Sequence, residues 1–256
     1  MRKKSIFLTI VAVTGVSVAQ GQVLPIPQAH KDAQALTILA QAQSQLGAAG
    51  SIQDSQAEGT ITLPGGRTGS IVLKSKGASL RHETTVDGDT TVSVVANGRG
   101  RTTHQGKQRK LPDWVTAYQR SLHIPALSRI VDAVRANSNL TYLGLEDVGG
   151  SPAHRIKLTS LPSNPGDSPE VEAIISEFQV FLDAKTLLPV KTITYDFAPD
   201  IIENRSTVET YYSDFRVVQG IVVPFRITRM VNAQKQMEIV LNNIRFNVGL
   251  SDVDFQ

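Results

Sequence analysis

The chain has 256 residues, 41% of them hydrophobic, with 26 Lys+Arg against 23 Asp+Glu and no cysteine. The missing thiols exclude disulfides, thiolate metal sites, cysteine catalysis and a lipid attached through a cysteine. Arg2, Lys3 and Lys4 carry the whole cationic surplus, so the rest of the chain balances at 23 against 23 and gives no support for a nucleic-acid partner.

Residues 1–19 read as a cleavable export signal. Arg2-Lys3-Lys4 precede an apolar run from Ile6 to Val18, and Ser17 and Ala19 supply the small residues before a cut between Ala19 and Gln20. The run is shorter than the roughly 20 residues that a bilayer-spanning helix needs. Residues 20–256 are expected to form one soluble domain in the periplasm, without a transmembrane segment. Aromatic residues are only 5% of the chain, which argues against the aromatic platforms of a carbohydrate-binding surface.

After a Pro-containing lead-in, the spacing predicts a helix over Lys31–Leu46, closed by Gly47, with Ala33, Leu36, Leu39, Ala40 and Leu46 on its packing side. From Ser51 the period becomes two. Ile61 and Leu63 alternate, then Ile71 and Leu73, then Val92, Val94 and Ala96. Turn residues separate these runs: Pro64-Gly65-Gly66, Lys76-Gly77, Asp87-Gly88-Asp89 and Asn97-Gly98. Leu111 to Asn139 interrupts the meander. Within it Leu127, Ile130, Val131 and Val134 keep the spacing of an amphipathic helix.

Strands resume at Leu140–Asp147 and Ala153–Leu161, followed by a polar, Pro-rich loop from Pro162 to Pro169. Four more follow, at Glu177–Asp183, Leu187–Phe197, Ser206–Val218 and Ile221–Val231. In the terminal segment Met237, Ile239 and Leu241 are odd-numbered, whereas Ile244, Phe246 and Val248 are even-numbered. Keeping both sets on one face requires an extra residue, which predicts a β-bulge at Asn242-Asn243. The fold class is mainly β (α+β): one curled antiparallel sheet of about eleven strands. It forms an incomplete barrel whose open face is covered by the N-terminal helix and the mid-chain helical insertion.

No catalytic pattern emerges. His30, His82, His104, His123 and His154 show no metal-pair spacing, and no G-x-S-x-G elbow occurs. Glu58, Glu83, Asp87 and Asp89 lie in or beside strands, where solvated outward charges are the simpler reading than paired acid and base. The expectation is a protein that is not an enzyme and holds neither metal nor cofactor. Between Asn97 and Leu111 lie Arg99, Arg101, Lys107, Arg109 and Lys110 without an acidic residue. They form either a basic loop for anionic head groups or an acidic partner, or a solvated hairpin tip marked by Gly98, Gly100 and Gly106.

Four motifs in the C-terminal half resemble the LolA-like family of outer-membrane lipoprotein-sorting proteins. They are Val180 to Val190, with Asp183, Lys185, Thr186 and Pro189; Tyr212-Ser213-Asp214-Phe215-Arg216 with Gly220 to Phe225; Ile244 to Val248 running on to Asp252-Val253-Asp254-Phe255; and Gly149 to His154. The resemblance implies a half-barrel that holds lipid or lipoprotein acyl chains in an apolar groove without covalent chemistry. Groove candidates are Trp114, Leu127, Ile130 and Val134 on the insertion, and Val223, Phe225 and Ile227 on a facing strand. The resemblance also implies a lid-holding cation, for which Lys76 and Arg81 are the candidates, Arg81 lying in a stretch that lacks the family's proline. The alternative is an envelope sensor or adaptor whose partner is an inner- or outer-membrane protein.

Overall fold

The computed structural model describes residues 28–46, 51–112, 119, 122, 138–162, 167–198 and 201–256, with the backbone alone at 201–204. The leader and Trp114, Leu127, Ile130 and Val134 lie outside the described residues.

Helix α1 (Ala33–Gln45) starts at Asp32, whose Oδ1 accepts from the backbone N–H of Gln34 and Ala35 at 2.8 and 3.0 Å. It buries Ala35, Ile38, Leu39 and Ala42, with Leu46 beyond its end, rather than the stripe through Ala33, Leu36 and Ala40 expected from sequence. The observed set keeps strict i, i+3, i+4, i+7 spacing, and it brings Ile38 inward.

Thirteen described strands follow: β1 (Asp54–Thr62), β2 (Thr68–Lys76), β3 (Ser79–Val86), β4 (Asp89–Ala96), β5 (Arg99–His104), β6 (Lys107–Leu111), β7 (Ser138–Val148), β8 (Ser151–Ser160), β9 (Phe178–Asp183), β10 (Pro189–Ala198), β11 (Ile201–Val218), β12 (Ile221–Val231) and β13 (Gln234–Phe246). They make one open antiparallel sheet in the order β6-β5-β4-β3-β2-β1-β13-β12-β11-β10-β9-β8-β7. No strand is expected from sequence between Asn97 and Leu111, because β5 and β6 carry too few apolar residues to show a period. A short helix α2 (Pro169–Ile175), capped by Ser168, stands directly after the Pro-rich loop.

Among the described strands, one pairing joins the two halves of the sheet. Strands β1–β6 and β7–β13 are two meanders of sequential hairpins, and β1 pairing with β13 makes them one sheet. Along that seam Glu58 faces Asn243 while Gly59 faces Leu241, so Asn242 is the extra residue of the expected bulge. Ile239 and Leu241 before it, and Ile244 and Phe246 after it, are all buried in one cluster. The bulge presses the β13 backbone onto β1: a Cβ added at Gly59 would sit 2.3 Å from the Val240 carbonyl oxygen.

The end of the seam is fastened by a buried carboxylate. Asp54 Oδ1 accepts from Val248 N at 2.7 Å, and Oδ2 accepts from Gly249 N and Leu250 N at 3.0 and 2.9 Å. Successive N–H groups converge on one anion because Asn247 and Gly249 take positive φ, 54° and 81°. Beyond this nest the tail ends in a 3₁₀ turn, Asp252–Phe255, on the outer face of the sheet beside β3 and β4. There Asp254 pairs with Lys74 at 2.8 Å, Asp252 with Lys76 at 2.9 Å, and Arg101 donates to the Phe255 carbonyl at 2.8 Å.

That tail explains a departure from the expected alternation in β4. Val94 faces outward yet is buried, while Val95, paired with Leu80, faces the interior core. Replacing Asp54 by alanine orphans three backbone donors at the seam. Urea unfolding of Asp54→Ala is expected to show a loss of about 3 kcal/mol.

Candidate ligand-binding face

Cross-strand partners share a face of the sheet, so register alone sorts the side chains into inner and outer sets. Following partners across the middle, Val180 meets Thr192, Thr192 meets Thr210, Thr210 meets Arg229 and Arg229 meets Met237. This inner face carries two apolar clusters. Over β7–β9, α1 packs on Leu140, Ile156, Leu158, Phe178, Val180 and Leu182. Over the other half, Ile71, Leu73, Leu80, Val223, Phe225, Ile227, Ile239 and Leu241 belong to a cluster in which no buried member exceeds 6% exposure.

Leu122, from the segment between β6 and β7, is part of that second cluster, and Gln119 beside it is also buried. Strands β6 and β7 are consecutive in the chain but lie at opposite ends of the sheet. Leu122 places part of the connection between them on the inner face.

Of the groove candidates on strands, Val223, Phe225 and Ile227 occupy alternate positions of β12, all on the inner face and all buried. The Arg216 guanidinium lies 4.3 Å from the Phe225 ring centroid and is itself held by Asp214 at 2.6 Å. Lys76 and Arg81 are on the other side. Arg81 shares the outer face with Lys74 and Val94 and pairs with Glu83 at 3.2 Å, and Lys76 is engaged by Asp252. Neither cation points toward Val223, Phe225 or Ile227, because each is one residue out of phase with the inner set of its strand.

A polar band that sequence reading did not single out separates the two apolar clusters. Thr192, Thr194, Thr210 and Arg229 are buried, and the Thr192 hydroxyl lies 3.3 Å from the Tyr212 hydroxyl. Its sequence signal is threonine at alternate positions, Thr192 and Thr194 on β10 and Thr210 on β11. Burial, and after it the positive charge of Arg229, lower the His82 imidazole pKa to about 4. His82 is on β3 and Arg229 on β12, with three strands between them in the sheet. The curl makes their inner faces look at each other.

The remaining titratable candidates are dispersed. His104 bonds Thr91 and His154 bonds Tyr142, both at 3.0 Å. Glu58 pairs with Arg245, Asp87 with Arg67, and Asp89 accepts from Gln105. Among the described residues no group of His, Asp and Glu is arranged to hold a metal ion. The face offers apolar surface, hydroxyls and the buried Arg229 guanidinium, which suits sequestration of an amphiphile.

Neither a family model nor a curated relative matches the sequence. Solved structures do. A DUF1329 family protein from Desulfovibrio piger superposes with a TM-score of 0.55 at 17% identity, over 87% of this chain and 96% of that one. A putative outer membrane lipoprotein-sorting protein domain from Vibrio parahaemolyticus gives 0.53 at 14% identity, over 87% and 96%. A LolA superfamily protein from Nitrosomonas europaea gives 0.52 at 11% identity, over 87% and 97%. The chain carries a LolA-like fold. The motif that first suggested it has a structural cause here: Asp183 Oδ1 accepts from Lys185 N, Thr186 N and the Thr186 hydroxyl at 3.1, 2.7 and 2.8 Å. One carboxylate thus sets the β9–β10 turn.

His82 supplies a pH test of the inner face. Its imidazole protonates near 6.5 when unfolded and near 4 when folded, so the unfolded chain takes up the proton first as pH falls. Stability is therefore full above pH 6.5 and declines between pH 6.5 and pH 4, by up to about 3 kcal/mol. Urea unfolding across that window measures the slope, and His82→Gln is expected to flatten it.

Proposed function

We propose that this chain is a periplasmic carrier that shelters acyl chains, of free lipid or of lipoprotein, against the inner face of its open sheet without covalent chemistry. The observation that carries this reading is the inner face itself. It is apolar at both ends with a polar band between, and Leu122, from the segment between β6 and β7, packs on it. The LolA-like fold, shared with a putative outer membrane lipoprotein-sorting domain, supports the same reading.

In this proposal Val223, Phe225 and Ile227 form the floor. Trp114, Leu127, Ile130 and Val134 act from the insertion above it, and Leu122 marks where the two meet. Because the floor is already withdrawn from solvent, an acyl chain has to displace the residues packed around Leu122. The export signal at residues 1–19 would deliver the protein to the periplasm.

The single tryptophan, Trp114, makes the test direct. Protein purified from cells is expected to carry lipid in native mass spectrometry. Added fatty acid brominated along its chain is expected to quench Trp114 fluorescence. Ligand at about a hundred times its Kd should raise the unfolding free energy by about 2.7 kcal/mol. Absence of co-purifying lipid together with unquenched Trp114 would defeat the carrier reading.

A further inference from the structure

The five cations between Arg99 and Lys110 belong to strands and not to a loop. Arg99 and Arg101 lie on β5, and Lys107, Arg109 and Lys110 on β6. The turn between them is tight, with Gln105 and Gly106 at φ 48° and 73°, so register fixes each side chain. Among the described strands β6 pairs with β5 alone and ends the sheet. Lys107 and Arg109 face His104 and Thr102 on the inner side, and Lys110 faces Arg101 on the outer side. The free edge is therefore straddled by cations over roughly 10 Å of strand.

Among the described residues no carboxylate balances this charge. Among the described residues, eleven ion pairs join Lys or Arg to Asp or Glu, and not one includes Arg99, Arg101, Lys107, Arg109 or Lys110. Asp89, the carboxylate that meets the hairpin, accepts from the Gln105 amide instead. Arg101 and Lys110 stand directly opposite each other, an arrangement that costs a sheet stability. An uncompensated like-charge edge is explained by an anionic partner outside the chain.

Charge complementarity sets the chemistry of the partner: cations project from both faces of a short, exposed edge strand, and a surface of anionic head groups can meet both faces together.

We propose that the β5–β6 hairpin is a docking edge for an anionic phospholipid surface, held there by Lys107, Arg109 and Lys110. This goes beyond the carrier reading and stands without it, since head groups can be engaged whether or not an acyl chain lies inside the sheet.

Sedimentation with vesicles of phosphatidylglycerol in phosphatidylcholine tests it, using protein purified from cells with its N-terminus read by mass spectrometry. Binding is expected to require phosphatidylglycerol and to fall steeply with salt. Each cation near the surface contributes roughly fivefold, so K107Q/R109Q/K110Q should weaken partitioning about a hundredfold. The same variant should still quench Trp114 with brominated fatty acid, which separates a failure of docking from a failure of the carrier reading. Equal binding to pure phosphatidylcholine, indifference to salt, or a triple variant that sediments like the parent would each overturn the proposal. So would tight binding to polyglutamate with none to the vesicles.

Discussion

The pairing of β1 with β13 is the constraint on which the rest of this structure rests. Each meander is built from local hairpins and would form a sheet of its own. Their union needs contact between segments about 190 residues apart, such as Ser55 with Phe246. Closing so long a loop is entropically costly, and the chain reinforces the seam at one end and in its middle. At one end the Asp54 carboxylate gathers three N–H groups from the turn after β13. In the middle the bulge at Asn242 corrects the phase, and Gly59 leaves room for it. Without that correction Ile239 and Leu241, or Ile244 and Phe246, would point outward, because a one-residue slip moves a strand's whole apolar set to the other face.

What was legible in the sequence follows from which faces are covered. The bulge was readable because β13 has one buried face, so its change of phase showed as odd positions giving way to even ones. Val223, Phe225 and Ile227 were readable for the same reason. β4 was misread because the C-terminal tail covers its outer face: Val94 and Val95 are both buried, and alternation then carries no directional information. β5 and β6 were missed because polar residues fill both faces of an edge hairpin. The inner polar band was invisible for a different reason. His82 and Arg229 are about 150 positions apart, and only the curl of the sheet brings their faces toward each other.

That band shapes what the interior can accept. A guanidinium and several hydroxyls at the centre of an apolar face are costly to bury unless they are hydrogen-bonded. They are retained between two clusters that otherwise resemble ordinary cores. In the proposed carrier, an interior so divided would distinguish the ends of an amphiphile, its hydrocarbon lying beside Ile227 and Ile239 or beneath α1 and its polar segment at Thr192, Thr210 and Tyr212.

The same inner face decides whether a closed interior can open for a ligand. Parting Leu122 from its cluster exposes one large aliphatic side chain, at about 2 kcal/mol, and the neighbouring floor adds several times that. An acyl chain of sixteen carbons gains roughly 0.8 kcal/mol for each buried methylene, on the order of 12 kcal/mol in all. In the proposed carrier the ligand's own desolvation would therefore be of the same order as the cost of displacing these side chains, while a chain of four or five carbons, at about 4 kcal/mol, would fall short. A closed resting interior is thus consistent with loading, and it favours long acyl chains over small apolar molecules through the length of hydrocarbon each can bury.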